Sequence, residues 1–201
     1  MAESFTSDRR RMRPEDRRRE VLDAARRVFL DAGFRGASLN AVSEEAGVTK
    51  GCLYHYFDSK EELLLALLRD RAQEADALGD AVQDAQSRDD VLAKAVHLLW
   101  ERYEREGELD MTGMVLTELP HAPAVAQTFF DEVIVKKREA LRQAFETQGP
   151  GTVDPELAAM LIPSMIMGVA LGYRLCRGLD GSKYSSKQIE EAMLTILSRG
   201  V

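Results

Sequence analysis

The chain of 201 residues is 45% hydrophobic and 6% aromatic, which is typical of a folded globular protein and argues against extended disorder. Its length allows one sizeable domain or a small headpiece joined to a larger body. The net charge of −7 by itself argues against nucleic-acid binding, but residues 1–60 hold 12 of the 27 Lys and Arg against only 10 of the 34 Asp and Glu. A mildly basic head on an acidic body concentrates affinity for phosphate at one end.

Three further features bear on where the protein acts. Cys52 and Cys176 are too few for a disulfide framework or a metal cluster. Residues 1–13 are polar and rich in arginine, unlike a signal peptide. The longest uncharged run, residues 157–173, is slightly short for a membrane span, and we expect a buried helix there. These observations predict a cytoplasmic protein with no membrane partner.

Apolar residues recur at helical spacing along nearly the whole chain, which predicts an all-α fold. The first helix should begin at Pro14, a favoured first helical residue, and should end at Gly33. Ser38 should cap a short second helix, and Gly47 should supply the tight turn after it. Thr49 should then cap a third helix.

A long fourth helix is predicted to begin at Ser59-Lys60-Glu61-Glu62, which has the pattern of a capping box. Glycine and proline turns delimit the helices that follow, and Ser185 with Gln188 forms a second capping-box pattern. The remaining predicted helices are residues 89–105, 109–119, 123–147, 154–178 and 186–199.

The second and third helices, joined by a tight glycine turn, have the layout of a helix-turn-helix. Leu53 and Phe57 lie four residues apart and can face inward onto the first helix. Lys50, Tyr54 and His55 then lie on the outward surface of the third helix. An exposed aromatic pair beside a lysine suits a helix in the DNA major groove, where such groups meet phosphates and base edges.

This segment resembles the TetR family of bacterial regulators. The resemblance is carried by Ala46-Gly47-Val48-Thr49-Lys50-Gly51, Leu53-Tyr54-His55-Tyr56-Phe57 and Ser59-Lys60-Glu61. It implies an all-α homodimer with a three-helix DNA-binding domain at residues 14–60 and a helical effector-binding and dimerisation domain at residues 61–201. It also implies a repressor that a small-molecule effector releases from a palindromic operator on double-stranded DNA. Residues 1–13 would be a flexible basic arm.

The same resemblance implies which residues touch DNA. Gly51, which lacks a side chain, would let the helix backbone approach the phosphates, and Lys60 would add a charge near the start of the fourth helix. Cys52 occupies a variable recognition position, so the base preference stays open. The DNA-binding residues carried over are Thr49, Lys50, Gly51, Cys52, Tyr54, His55 and Lys60.

A cluster of arginines near the N-terminus has two interpretations. It could grip the minor groove or the phosphates ahead of the first helix, or it could be a solvated tail, since Glu15 and Asp16 lie among the arginines. The cluster comprises Arg9, Arg10, Arg11, Arg13, Arg17, Arg18 and Arg19.

The last two predicted helices are more apolar than surface helices need to be. In a dimer they could pack with their counterparts as a four-helix bundle, with two glycines permitting close approach. The alternative is that they fill the core of their own domain. The residues predicted for the dimer interface are Gly168, Gly172, Ile189, Met193 and Ile196.

Aromatic residues and methionines in the body predict an effector pocket. As a set they favour a largely apolar effector, although such residues are more often plain core. The predicted ligand-binding residues are Trp100, Tyr103, Met111, Met114, Phe129, Phe130, Met165 and Met167.

Two competing functions are weaker. His55, His97 and His121 are scattered, so we expect no catalytic site, no metal site and no cofactor, and an enzyme is disfavoured. A redox-responsive regulator would act through oxidation of Cys52 in the recognition helix, but no resolving cysteine lies nearby in sequence.

Overall fold

The computed structural model describes the backbone of residues 13–179 and 183–198, and their side chains except 71–75, 119 and 176–179. Every regular element in this part of the chain is helical, which confirms the all-α prediction. The helices are α1 (Pro14–Gly36), α2 (Leu39–Glu45), α3 (Lys50–Tyr56), α4 (Lys60–Gln83), α5 (Arg88–Glu104), α6 (Glu108–Glu118), α7 (Pro123–Phe129), α8 (Lys136–Thr147), α9 (Pro155–Leu179) and α10 (Ser186–Leu197). The basic arm predicted at residues 1–13 lies outside the described residues, apart from Arg13.

Hydroxyl side chains begin α2 and α3 as predicted. The Ser38 hydroxyl accepts from the Ala41 amide at 3.1 Å, and the Thr49 hydroxyl accepts from the Cys52 amide at 3.2 Å. Gly47 makes the turn between α2 and α3 with a φ of 61°, where a side chain would be strained. These local bonds fix the start of each helix because they satisfy amides that have no partner within the helix.

The first helix does not end at Gly33, as the sequence predicted, but kinks there. Gly33 adopts a φ of 68°, and one further helical turn follows to Gly36. The Ala37 amide donates to the Gly33 carbonyl at 3.0 Å and closes this turn. The extra turn carries the carbonyls of Phe34 and Arg35 to the start of α4.

The single helix predicted at residues 123–147 is interrupted. A π-helical turn at Phe130–Val135 separates α7 from α8, after a 3₁₀ turn at Leu119–His121. Val133 within the π turn is buried, whereas Phe130 at its start is exposed. Such a turn inserts one residue into the helical path, so α7 and α8 direct their apolar faces differently.

Two clusters of buried side chains form the core, and α4 contributes to both. The first half of α4, with Leu64 and Leu68, packs with α1–α3 and with apolar residues of α6 and α7. The second half, with Leu78 and Val82, packs with α5, α8, α9 and α10. Because one continuous helix belongs to both clusters, it ties the headpiece to the body.

The apolar helix α9 is buried on one face only. Ala158, Ile162, Ile166 and Ala170 point into the second cluster, while the opposite face is exposed. The sequence predicted a buried helix here, but in the single chain α9 is buried on only one of its two faces. The exposed apolar side chains of α9 are Leu157, Met160, Leu161, Met165, Val169, Leu171 and Leu175.

Length and composition alone would let one helix in the described part of the chain cross a membrane, namely Pro155–Leu175. Less than a third of its most apolar stretch is buried. A helix that packs in a core or an interface of a globular protein passes the same test, so this result is weak evidence for a membrane.

Candidate DNA-binding surface

Helix α3 has one face in the core and one in solvent. Leu53 and Phe57 are buried against Val42 and the first cluster, as predicted. The amide of Val48 donates to the Ser43 carbonyl at 3.0 Å, which holds the turn between α2 and α3. The core contacts of Leu53 therefore set which side of α3 faces outward.

The outward side of α3 carries most of the residues predicted to touch DNA. Lys50, Gly51 and His55 are exposed, and Tyr54, at 50% exposure, is an unusually exposed aromatic side chain. The His55 ring stands edge-on to the Tyr56 ring, with 5.1 Å between the ring centroids, which limits its rotation. This surface combines an amine, a phenol and an imidazole on one helical face, where each can donate to a phosphate or a base edge.

Gly51 has no structural explanation within the chain. A Cβ built at this position would meet no atom within 4 Å, and its φ is not in the region that favours glycine. The absent side chain leaves the backbone of α3 open to close approach by another molecule, as the resemblance predicts.

Cys52 is less accessible than the outward-facing residues Lys50, Gly51, Tyr54 and His55 of α3. Its side chain is half-buried and its thiol is free. Nothing in the described structure tests whether the thiol is redox-active, and the redox alternative stays a prediction.

Lys60, which was predicted to contact a phosphate, is bonded within the headpiece in the single chain. Its ammonium donates to the carbonyls of Phe34 at 2.9 Å and Arg35 at 3.3 Å, and it lies over the Phe34 ring, 4.8 Å from the centroid. The amine thus caps the last turn of α1, where a cation is favoured by the helix dipole. A phosphate contact would require it to give up these bonds.

The arginine cluster divides among several environments. Arg9–Arg11 lie outside the described residues, and Arg13 pairs with Asp16 at 3.0 Å within the first turn of α1. Arg18 instead stacks over the ring of Phe57, the residue that ends α3, with its guanidinium carbon 5.1 Å from the centroid. Arg18 remains exposed, so the fold brings a cation to the end of the recognition helix.

The eight residues predicted to line a pocket do not converge. Met111, Met114 and Phe129 pack in or against the first cluster, Phe130 and Met165 are exposed, and Met167 is half-buried on α9. Neighbouring positions on a helix face different directions, which separates Phe129 from Phe130.

Trp100 and Tyr103 do share a small cavity. Its volume is about 110 Å³, and its other walls include Leu109, Ala170 and Tyr173. The Trp100 indole N–H donates to the Ser186 hydroxyl at 2.8 Å, so this ring anchors α10 to α5. A groove of about 530 Å³ lies between α4 and α8 and contains none of the eight residues.

The residues predicted for the dimer interface differ in their exposure in the single chain. Gly168, Gly172 and Ile196 are exposed, whereas Ile189 is half-buried against the second cluster. Met193, at 7% exposure, packs in the core of its own chain, so little of its side chain is accessible to a partner. Helix α10 rests on α5, where Glu190 contacts His97 at 2.9 Å, and Met193, three residues further along α10, packs in the second cluster.

Comparison with known proteins agrees with this geometry. Residues 21–67 match the family described as bacterial regulatory proteins, tetR family. The HTH-type transcriptional repressor AcnR of Corynebacterium efficiens is 40% identical over 60 residues, which cover 30% of this chain and 32% of AcnR. The chain thus aligns with about a third of the length of that relative.

Solved structures extend the similarity over almost the whole chain. A Mesorhizobium loti protein described as a TetR-family transcriptional regulator superposes with a TM-score of 0.75 at 19% identity, covering 94% of this chain and 96% of that one. AibR, in complex with isovaleryl coenzyme A and operator DNA, superposes with a TM-score of 0.67 at 22% identity, covering 90% of this chain and 97% of AibR. The headpiece at residues 21–67 thus matches the tetR family of bacterial regulatory proteins, and the fold of the described chain is similar to that of TetR-family structures.

Proposed function

We propose that the protein is a cytoplasmic transcription regulator that binds a palindromic operator as a homodimer, with α3 in the major groove. The observation that carries the proposal is the division of α3 into a buried face at Leu53 and an exposed face at Lys50, Tyr54 and His55. A helix anchored on one side can present these three side chains in a fixed geometry. Fixed geometry is what base readout requires, because hydrogen bonds to base edges are directional.

Phosphate contacts position such a helix on the duplex. Arg18 and Lys50 supply exposed cations beside α3, and the bare backbone at Gly51 allows close approach. These groups carry no base specificity but fix the register of the helix on the DNA. Lys60 contributes indirectly, because it joins the end of α1 to the start of α4 and so holds the headpiece together.

The dimer is supported by the exposed apolar face of α9. Leu161, Met165 and Leu175 are each more than two-fifths exposed in the single chain, which is unfavourable in water. The exposed Gly168 and Gly172 lie on the same helix and would let a partner helix approach closely. A second copy related by a two-fold axis would cover this face and would match the symmetry of a palindromic operator.

Repression relieved by an effector is the regulatory mode that we propose. Its support is the similarity of the headpiece to the transcriptional repressor AcnR and of the fold to AibR, which forms a complex with isovaleryl coenzyme A and operator DNA. An effector in the body could act on DNA binding through α4, since this helix packs in both clusters. The eight residues expected to line a largely apolar pocket do not lie together in the described structure, so they do not identify the chemical class of the effector.

Selection of duplexes from a random pool tests the proposal directly. We expect the purified protein to enrich a palindromic sequence and to bind it with a Kd of roughly 10⁻⁸ to 10⁻¹¹ M at physiological salt, measured by fluorescence anisotropy. Lys50→Ala and Tyr54→Ala should weaken that binding, while Lys136→Ala, which removes an exposed charge from the body, should not. Failure to enrich any sequence would refute a specific DNA-binding role.

A further inference from the structure

A cavity at the end of α5 combines aromatic walls with a carboxylate. It lies between α5, α6 and α9 and has a volume of about 110 Å³. Trp100, Tyr103 and Tyr173 supply its rings. Glu104, the last residue of α5, supplies the carboxylate. Ring faces and a carboxylate around one space form a combination that attracts an organic cation.

Two of the rings stand at an angle to each other. The centroids of Trp100 and Tyr173 are 5.8 Å apart, with 44° between the ring planes. A ring face attracts a cation that lies within about 6 Å of its centroid, so a cation between these two rings is within reach of both. The Trp100 indole N–H donates to the Ser186 hydroxyl at 2.8 Å, which fixes the ring before any ligand binds.

The charges at the cavity also favour a cation. Within the part of the chain that the structure describes, the Glu104 carboxylate forms no hydrogen bond or ion pair. Arg174 also lines the cavity, and its guanidinium bonds with the carboxylate of Asp110, which offsets its charge. The charge of Glu104 is not offset in this way, and an ammonium ion in the cavity would supply the opposite charge.

We propose that this cavity binds a small organic ammonium cation, with the charge between the Trp100 and Tyr173 rings and close to Glu104. Aromatic rings recognise methylated ammonium groups in this manner, because the methyl groups pack on the ring faces while the charge meets their negative potential. An engineered cavity of about 150 Å³ holds benzene, so about 110 Å³ suits a ligand of roughly four or five heavy atoms. Tetramethylammonium has this size.

The same cation would be the effector, a step that rests on the function proposed above. Leu109 at the start of α6 lines the cavity and belongs to the second cluster. Met111 and Val115, further along the same helix, pack in the first cluster with the headpiece. A ligand that shifts the start of α6 therefore acts on residues packed against the DNA-binding domain. We expect operator affinity to change by about 5–150-fold, the usual range of coupling between sites.

The fluorescence of Trp100 reports on this cavity directly, because Trp100 is the only tryptophan of the chain. The full chain is titrated with tetramethylammonium at constant ionic strength. We expect a saturable change in the emission of Trp100. The neutral and similarly shaped tert-butanol should leave the emission unchanged.

Variants of two lining residues test the chemistry of binding. Tyr173→Leu should raise the Kd for tetramethylammonium by about 2–30-fold, as the loss of a cation–π contact does, whereas Tyr173→Phe keeps the ring and should not. Glu104→Gln should raise the Kd by about 2–5-fold, the usual effect of an exposed ion pair. Glu101→Gln is the matched control, since it removes an exposed carboxylate of the same helix outside the cavity lining.

Glu104 is exposed, so Glu104→Gln leaves the core intact and tests the site even where Tyr173→Leu fails to fold. An equal emission change with tert-butanol would overturn the inference, because apolar filling alone would then suffice. No change with tetramethylammonium, in protein that binds its selected duplex, would overturn it and leave the proposed function standing. A saturable change that needs Glu104, in protein that binds no duplex, would support the site and refute the proposed function. The same change with unaltered duplex affinity would support the site and overturn its role as the effector site.

Discussion

The ammonium of Lys60 donates to the carbonyl of Phe34, a residue 26 positions earlier, at 2.9 Å. This bond joins the start of α4 to the last turn of α1, just beyond the kink at Gly33. Lys60 is therefore part of the framework that orients the headpiece. Sequence alone would have placed the same charge on a DNA phosphate.

Replacing Lys60 should mainly affect stability. Lys60→Met should lower the free energy of unfolding by about 1.5–3 kcal/mol, the usual worth of a hydrogen bond to a charged group. Urea denaturation followed by circular dichroism measures this change. The salt dependence of DNA binding should keep its slope, because no phosphate contact is lost. If Lys60→Met instead kept normal stability and reduced the slope of the salt dependence by roughly 1, Lys60 would contact a DNA phosphate.

Arg18 should show the behaviour expected of a phosphate contact. Arg18→Ala should weaken binding to all duplexes alike and reduce the slope of log Kd against log salt by roughly 1. The reason is that its guanidinium lies exposed beside the end of α3. Anisotropy titrations at several salt concentrations measure the slope, with Lys136→Ala as the charge-matched control. An unchanged slope for Arg18→Ala would show that Arg18 does not contact a DNA phosphate.

His55 should affect sequence preference more than overall affinity. Its ring is exposed on the outer face of α3 and oriented by Tyr56. His55→Ala should reduce the binding free energy for duplexes with the preferred base by about 1–3 kcal/mol, at one position of each half-site. Binding to duplexes with another base at that position should change little. Competition between the selected duplex and single-base variants measures this loss. A uniform loss across all variants would indicate a phosphate contact instead.

The dimer interface is tested by a pair of equally exposed leucines. Leu161 on α9 is 43% exposed and Leu116 on α6 is 44% exposed. Leu161→Glu should yield a folded monomer with much weaker operator binding, because it places a charge in the apolar seam. Leu116→Glu should remain dimeric. Sedimentation velocity distinguishes the two, and dimeric Leu161→Glu would place the interface elsewhere.

Met193 should behave differently from Leu161. Its side chain lies in the core of its own chain, so Met193→Glu buries a charge without a partner. We expect a loss of roughly 3–5 kcal/mol in the free energy of unfolding, measured by urea denaturation. A folded, monomeric Met193→Glu protein of normal stability would contradict this placement and favour the sequence-based one.

The start of α5 should contribute acid-sensitive stability. The Gln86 amide donates to the Asp90 carboxylate at 2.9 Å, and this bond holds the pKa of Asp90 below its usual range. A lowered folded-state pKa stabilises the protein above the unfolded value, about 3.9, and this contribution is lost as the pH falls through the folded value. Asp90→Asn should therefore be less stable than the parent at pH 7, with the difference shrinking below about pH 4. Asp89→Asn is the control, and a pH-independent difference for Asp90→Asn would contradict the prediction.

The sequence by itself determined the all-α fold class, the caps of α2 and α3 and the faces of α3. The hydroxyl caps at Ser38 and Thr49 and the turn at Gly47 act over three or four residues, so their chemistry can be recognised locally. The spacing of Leu53 and Phe57 likewise determines the buried face of α3, because helical geometry places residues four apart on one side. For the same reason the outward position of Tyr54 needed no tertiary information.

Only the tertiary structure decided what distant segments bring together. Lys60 meets the carbonyl of Phe34 because α1 continues past Gly33, and local pattern did not predict that extra turn. Met193 turns inward because α10 rests on α5, although an apolar residue on an amphipathic helix suits a core and an interface equally. Arg102 of α5 and Lys137 of α8 line one cavity because these two helices, distant in sequence, pack side by side. Helical periodicity specifies the direction of each side chain relative to its own axis, whereas its neighbours depend on how the axes pack.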